Sequence, residues 1–66
     1  MNPEAKEIVS RTNHVLIYLY HPIGAKRSYW TLAGSDEPAD WIGGNYRTLG
    51  HARRVAERFN VPITLC

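Results

Sequence analysis

Residues with catalytic or metal-binding chemistry are few and scattered along this chain of 66 residues. The histidines are His14, His21 and His51, and the single cysteine is Cys66. His14 and His21 fall at the two ends of one predicted strand. They therefore point to opposite faces and lie about 23 Å apart at roughly 3.3 Å per residue. We expect neither a shared metal ion nor a Cys–His nucleophile.

The remaining acid–base candidates are three carboxylates in the segment GSDEPAD, namely Asp36, Glu37 and Asp40. Catalytic carboxyl pairs need environments that separate their pKa values, whereas the Gly, Ser and Pro in this segment indicate a loop. We expect the loop to be solvated. No serine of the chain lies in a nucleophile motif. The sequence therefore predicts a protein that is not an enzyme and that has no cofactor and no metal.

An arginine-rich helix is the first candidate binding surface. The apolar stripe of the segment TLGHARRVAERFN consists of Leu49, Ala52, Val55, Ala56 and Phe59. These positions span about 120° of a helix, which is typical of a core-facing stripe. His51, Arg54 and Arg58 form a contiguous group on the opposite side, named here the basic strip. It is either a solvated helix face or a binding site.

A tyrosine-rich strand face is the second candidate surface. The alternation in HVLIYLYH and RSYWTLA predicts one apolar and one polar-aromatic face. The apolar face would contain Val15, Ile17, Leu19, Trp30 and Leu32. The other would contain Tyr18, Tyr20, Tyr29, Thr31 and Arg27, with Lys26 in the adjoining turn HPIGAK. Tyrosine beside arginine is typical of binding surfaces. The N-terminal helix could instead cover this face, and the sequence leaves both arrangements open.

Turn and cap residues predict the elements that hold these side chains. Asn2 and Pro3 begin a helix of about ten residues. Two strands then form a hairpin. WIGGNYRT is a third strand, whose Gly43 and Gly44 indicate a bulge or a close backbone approach, or else a second irregular loop. Thr48 caps the second helix and Asn60 ends it in a left-handed conformation. The segment VPITLC is a final edge strand, with Val61, Ile63 and Leu65 pointing inward.

The predicted order is helix, strand, strand, strand, helix, strand, in one domain over residues 1–66. The fold class is α+β: a small antiparallel sheet of three to four strands against a C-terminal amphipathic helix, with a short N-terminal helix. A domain of this size has a small stability margin, so a homodimer is an alternative to a monomer. Cys66 is either an inert thiol or an intermolecular bridge.

Two further features of the sequence indicate the cellular compartment in which the protein acts. No apolar run approaches the roughly 18 residues of a membrane helix, and the N-terminal segment has no signal-peptide pattern. We therefore expect a cytoplasmic protein with no membrane contact. The formal net charge is only +2, which is a mild bias and low for a dedicated nucleic-acid binder.

A short chain without a catalytic constellation is most economically a binding module. In size and lack of motifs it is similar to small phage-encoded inhibitors of host machinery, including anti-CRISPR proteins. That resemblance of type implies a phage accessory protein that inhibits a protein partner by occlusion. We favour a protein partner, bound through residues of the two candidate surfaces: His51, Arg54, Arg58, Lys26, Arg27, Tyr18, Tyr20 and Tyr29.

The alternative is a nucleic-acid-binding domain, in which basic residues contact phosphates and tyrosines stack on bases. The order helix, three strands, helix over residues 3–59 is similar to that of a double-stranded-RNA-binding domain. The second helix opens with TLGHARR, and its arginines begin at Arg53, whereas that family has a lysine cluster there. A three-stranded sheet with one helix also resembles small DNA-binding sheets.

Overall fold

The computed structural model describes residues 3–66, which form two helices and one four-stranded sheet. In chain order the elements are α1 (Pro3–Thr12), β1 (Val15–Tyr20), β2 (Tyr29–Ala33), β3 (Trp41–Tyr46), α2 (Leu49–Glu57) and β4 (Ile63–Leu65). A short 3-10 turn at Pro38–Asp40 precedes β3. The predicted α+β class and the predicted order of elements are confirmed. The proposed Asn2 cap lies outside the described residues.

The sheet is mixed, with the strand order β3-β2-β1-β4. β1 pairs antiparallel with β2, and β2 pairs antiparallel with β3. β4 pairs parallel with β1, with Val15 opposite Ile63. The antiparallel prediction therefore holds for three strands and not for the last. The reason is that α2 carries the chain back along the sheet, so β4 starts beside the beginning of β1.

Both helices pack on the same face of the sheet. The buried cluster on that face consists of Val9 from α1, Val15 and Ile17 from β1, Leu32 from β2, and Ala52 and Ala56 from α2. Around it lie the partly buried side chains of Trp30, Ile42, Tyr46, Leu49, Val55, Phe59, Val61 and Ile63. The predicted apolar strand face and the predicted apolar helix stripe thus meet in one core.

Two residues that the alternation assigns to the core are half exposed. Leu19 is 53% exposed and Leu65 is 47% exposed. The pairing of β4 with β1 stops where Leu65 lies opposite Ile17, so Leu19 has no β4 residue beside it. The prediction that Leu19 and Leu65 pack inside is therefore wrong. The alternation along a strand determines the face on which a side chain lies, whereas the burial of that side chain also depends on how far the neighbouring strand extends.

Helix ends follow the predicted caps. The Thr48 hydroxyl oxygen accepts a hydrogen bond from the backbone N–H of His51, at 3.1 Å, at the start of α2. After α2 ends at Glu57, Asn60 has a φ of 56°, the predicted left-handed conformation. Asn13 has a φ of 53° just after α1. Neither helix of the described chain is long and apolar enough to cross a membrane.

The two glycines of β3 produce the predicted bulge. Gly43 and Gly44 have φ values of 101° and 104°, in the left-handed region that favours glycine. Trp41 lies opposite Ala33, and Gly43 lies opposite Leu32, so two residues of β3 advance against one of β2. Trp41 and Gly43 consequently lie on different faces of the sheet, although a regular strand would place them on the same one.

Candidate binding surface on the open sheet face

The sheet face turned away from the helices carries the tyrosines. Tyr18 and Tyr20 alternate with the core residues of β1, and Tyr29 lies opposite Tyr20 on β2. The bulge in β3 adds Trp41 to this side, and the four residues are named here the aromatic face. Because Val9 of α1 belongs to the core cluster on the other side, α1 does not cover the aromatic face. The alternative in which the first helix buries the tyrosines is therefore wrong.

A depression of about 730 Å³ lies on the aromatic face. Tyr18, Tyr20 and Trp41 form its aromatic walls, with Leu16 and Ala33 between them. Pro38 and its acidic neighbours in the loop before β3 form its rim. Its volume lies within the range of roughly 300–1,000 Å³ that is typical of ligand pockets, although this depression is open to solvent.

Trp41 belongs to the edge strand β3, and its side chain reaches over β2 to contact β1. Its indole Nε1–H donates a hydrogen bond to the hydroxyl oxygen of Thr31, at 3.1 Å. Its ring meets the ring of Tyr20 edge to face, with the centroids 6.3 Å apart and the planes at 76°. Thr31 is completely buried under this contact, whereas Trp41 itself is 48% exposed. The exposed indole is thus held in one position.

The tyrosine hydroxyls give the aromatic face hydrogen-bonding groups beside its rings. The Tyr20 hydroxyl donates a hydrogen bond to the side-chain oxygen of Asn45 on β3. Partial burial raises the pKa of Tyr18 above its ordinary value. The phenol can donate a hydrogen bond as well as accept one. The face can therefore contact apolar groups with its rings and polar groups with its hydroxyls.

The acidic loop has two differently placed parts. Asp36 and Glu37 are exposed and line the depression. Asp40 is only 8% exposed, and it forms an ion pair with Arg11 of α1. Its carboxylate also accepts a hydrogen bond of 2.5 Å from the hydroxyl of Ser35. The bonds from Ser35 and Arg11 hold the pKa of Asp40 below its usual range. The prediction of a solvated loop is therefore wrong for Asp40, because a residue far away in sequence supplies the opposite charge.

The basic strip lies on the other side of the molecule. His51, Arg54 and Arg58 are all exposed, and α2 packs on the face opposite the tyrosines. The His51 ring meets the Tyr46 ring edge to face, with the centroids 4.9 Å apart. Arg58 follows the last residue of α2 and lines a groove between the two helices. The fold therefore does not bring the strip and the tyrosines together.

Lys26 and Arg27 lie in the loop between β1 and β2, and both are exposed. The predicted turn is present, since the backbone N–H of Ala25 donates to the carbonyl oxygen of Pro22 at 3.1 Å. β2 begins only at Tyr29. The assignment of Arg27 to the strand face is therefore wrong, and the residue lies at one end of the sheet.

Sequence reasoning missed Trp41, Asp36 and Glu37 as site residues. A tryptophan directly after an acidic loop was a visible signal for all three. The face on which Trp41 lies depends on the bulge, because only the shifted register places Trp41 on the same side as the tyrosines. A regular β3 would have placed Trp41 on the same face as Gly43, which is the side that the helices cover.

The residue types that commonly bind metal ions do not cluster in the described part of the chain. Within residues 3–66, no group of three or more His, Cys, Asp or Glu side chains could hold a metal ion. The His14 Nε2 atom forms a hydrogen bond of 2.7 Å with the hydroxyl of Thr64. Cys66 is exposed and lines the depression together with Tyr18.

Comparisons with protein-family models, with curated proteins and with solved structures find no match to this chain.

Proposed function

We propose that this chain is a small non-enzymatic binding module that docks a protein partner on its aromatic face and inhibits that partner by occlusion. The observation that carries the proposal is the placement of both helices on one side of the sheet. Four aromatic residues remain on the uncovered side, and Trp41 is 48% exposed there. Exposed aromatic clusters of this kind mark interaction sites on small proteins.

Rigidity of the aromatic face supports binding. The rings project from paired strands, and Trp41 is held by its contacts with Thr31 and Tyr20. Ordering side chains at an interface costs about 0.5–1.5 kcal/mol for each flexible side chain. Rings that are already fixed avoid most of that cost. The aromatic face therefore resembles the rigid aromatic anchors that dominate binding energy in many interfaces.

The small size of the molecule supports occlusion as the mechanism. The accessible surface is 4563 Å², so a standard interface of about 800 Å² per partner would use about a sixth of it. The rest of the molecule would then block access to the covered site of the partner. We further propose that the protein acts in the cytoplasm, as a monomer or a homodimer.

Nucleic-acid binding is the second candidate, and the exposure of the basic strip favours it. A nucleic-acid surface needs cations for the phosphates near aromatic rings for the bases. Here the strip and the aromatic face point to opposite sides, and Asp36 and Glu37 would repel phosphates at the rim of the depression. This arrangement supports a protein partner over a nucleic acid.

The test of the proposed function compares two double variants. Tyr18→Ser with Tyr20→Ser alters the aromatic face, and Arg54→Glu with Arg58→Glu alters the basic strip. A partner captured from the source lysate is purified, and its Kd for each protein is measured by calorimetry. Circular dichroism and thermal melting check that both variants fold.

We expect the tyrosine variant to weaken binding at least about tenfold, in line with the loss of aromatic anchors, and the arginine variant to bind normally. The opposite ranking would place the site on the basic strip. A parallel salt titration with single- and double-stranded DNA and RNA tests the second candidate. Affinity that falls log-linearly with salt would indicate phosphate contacts.

A further inference from the structure

The charge around the depression differs in sign from the charge of the whole chain. The formal net charge of the protein is +2, whereas the charged residues that line the depression at neutral pH are Asp36 and Glu37. Within the described residues, no lysine, arginine or histidine lines it. The local potential therefore favours a cationic ligand.

The aromatic rings that line the depression also favour a cationic ligand. The π faces of Tyr18, Tyr20 and Trp41 carry negative electrostatic potential, and cations bind over such rings, most strongly over tryptophan. Leu16 and Ala33 add apolar surface between the rings. A side chain with an apolar stem and a cationic end would match both features, because its stem could lie along the rings while its charge stays near the carboxylates and water.

The backbone of the acidic loop is held in place before any ligand arrives. The backbone N–H of Glu37 donates a hydrogen bond to the hydroxyl oxygen of Ser35, at 3.1 Å. The Ser35 hydroxyl and Arg11 both bind Asp40, and the carbonyl oxygen of Asp40 accepts a bond of 2.7 Å from the N–H of Gly34. These bonds join the loop to α1 and to the end of β2. A fixed loop backbone reduces the entropy lost on binding.

We propose that the partner inserts a lysine or arginine side chain, flanked by apolar residues, into the depression on the aromatic face. The cationic end binds over the aromatic rings and beside Asp36 and Glu37. This inference rests on the proposed function, since it names the chemistry of the partner that the aromatic face would bind. The occupant that we propose is a different protein, and a second copy of this chain is the competing outcome of the test.

The probe is a random peptide display library, selected against the immobilised wild-type protein. Selected peptides are synthesised, and their Kd values are measured with three variants. Asp36→Asn with Glu37→Gln removes the charge of the rim with little change of shape at exposed positions. Glu57→Gln is the matched control, because it removes a negative charge from an exposed position on α2. Tyr18→Ser with Tyr20→Ser reports whether the aromatic face is used.

We expect the selected peptides to be enriched in lysine or arginine next to apolar residues. Their Kd should rise about five- to tenfold with the rim variant, which is the size expected when a cation loses two exposed carboxylate partners and keeps its contact with the rings. The effect should shrink at high salt. Glu57→Gln should leave the Kd unchanged.

The contrary outcomes separate the two proposals. Peptides that lose affinity with the tyrosine variant, but that lack cations and ignore the rim variant, would overturn this inference and leave the proposed function standing. Failure to select any peptide sensitive to the tyrosine variant would count against both. A concentration-dependent dimer in sedimentation, broken by the same tyrosine variant, would show a second copy as the occupant and overturn the inference.

Discussion

The two faces of the sheet differ in how deeply their side chains are buried. On the helix side, Val15, Ile17 and Leu32 are completely buried. Ala52 and Ala56 lie over them, and their small side chains allow α2 to approach closely. On the other side, Tyr20 and Trp41 stay in contact with solvent. The alternation of residues makes one face apolar and the other aromatic, and the packing of both helices on the apolar face makes that face the core.

Different interactions hold the side chains of the two faces in place. The helix side depends on burial of apolar area, which is non-directional and grows with the area removed from water. The aromatic face depends on directed contacts: the hydrogen bond from Trp41 to Thr31, the hydrogen bond from Tyr20 to Asn45, and the edge-to-face contact of two rings. Directed contacts can order a surface that stays accessible to a partner.

Ile17→Ala should produce the strongest loss of stability. Ile17 is completely buried, and truncating such a residue lowers the free energy of unfolding by about 2–5 kcal/mol. Small domains have little more than that in total, so the variant should be largely unfolded in urea denaturation at 25 °C. Leu19→Ala is the matched control on the same strand and face. Because Leu19 is 53% exposed, it should lose less than about 1.5 kcal/mol, and equal losses would contradict the burial contrast.

Trp41→Ala should have an intermediate effect, a loss of about 1–2 kcal/mol. The variant loses one hydrogen bond, worth about 1 kcal/mol, and one aromatic pair of similar value. Trp41→Phe keeps a ring over the sheet and should lose less. Thermal or urea unfolding gives both values. If Trp41→Ala were as harmful as Ile17→Ala, the aromatic face would have to be regarded as a second core.

Asp40→Asn should change the acid dependence of stability. The pKa of Asp40 is lowered in the folded state, so its contribution is complete above the unfolded value of about 3.9 and is lost as the pH falls through the lower folded value. Urea denaturation between about pH 6 and pH 2 should show a steeper decline for the wild type than for Asp40→Asn. Ser35→Ala should reduce the decline in part, because it removes one bond to that carboxylate. Identical declines would show that Asp40 is not anchored in solution.

Arg54→Glu with Arg58→Glu should have the weakest effect on stability. Both residues are exposed, so their replacement leaves no cavity. Arg54 lies in the last turn of α2 and Arg58 is its C-cap, so negative charge there opposes the helix dipole, and we expect a loss of about 0.5–1 kcal/mol in total. A reversal of two charges tests the basic strip without creating a cavity. A loss of more than about 1 kcal/mol would indicate that the strip makes a structural contribution comparable to that of a buried hydrogen bond.

Much of the fold was predictable because its signals are local. Period-two alternation separated Ile17 from Tyr18, and the helical stripe identified Ala52 and Ala56 as core residues. Thr48 also acted as predicted, because a cap depends on only a few neighbouring residues. The candidate site was predicted in part. The tyrosines were identified from alternation, whereas Trp41 was not, since its orientation depends on the register of β3 against β2.

The amino-acid sequence alone was enough to establish which residues share a face, because backbone geometry repeats every two residues in a strand and every 3.6 in a helix. It was not enough to establish which face α1 covers. That choice depends on contacts between distant segments, such as Val9 with the core of the sheet and Arg11 with Asp40. The folded chain therefore determined that the tyrosines remain open to solvent and that Asp40 is buried, because packing and ion pairing depend on distance in space rather than on distance along the chain.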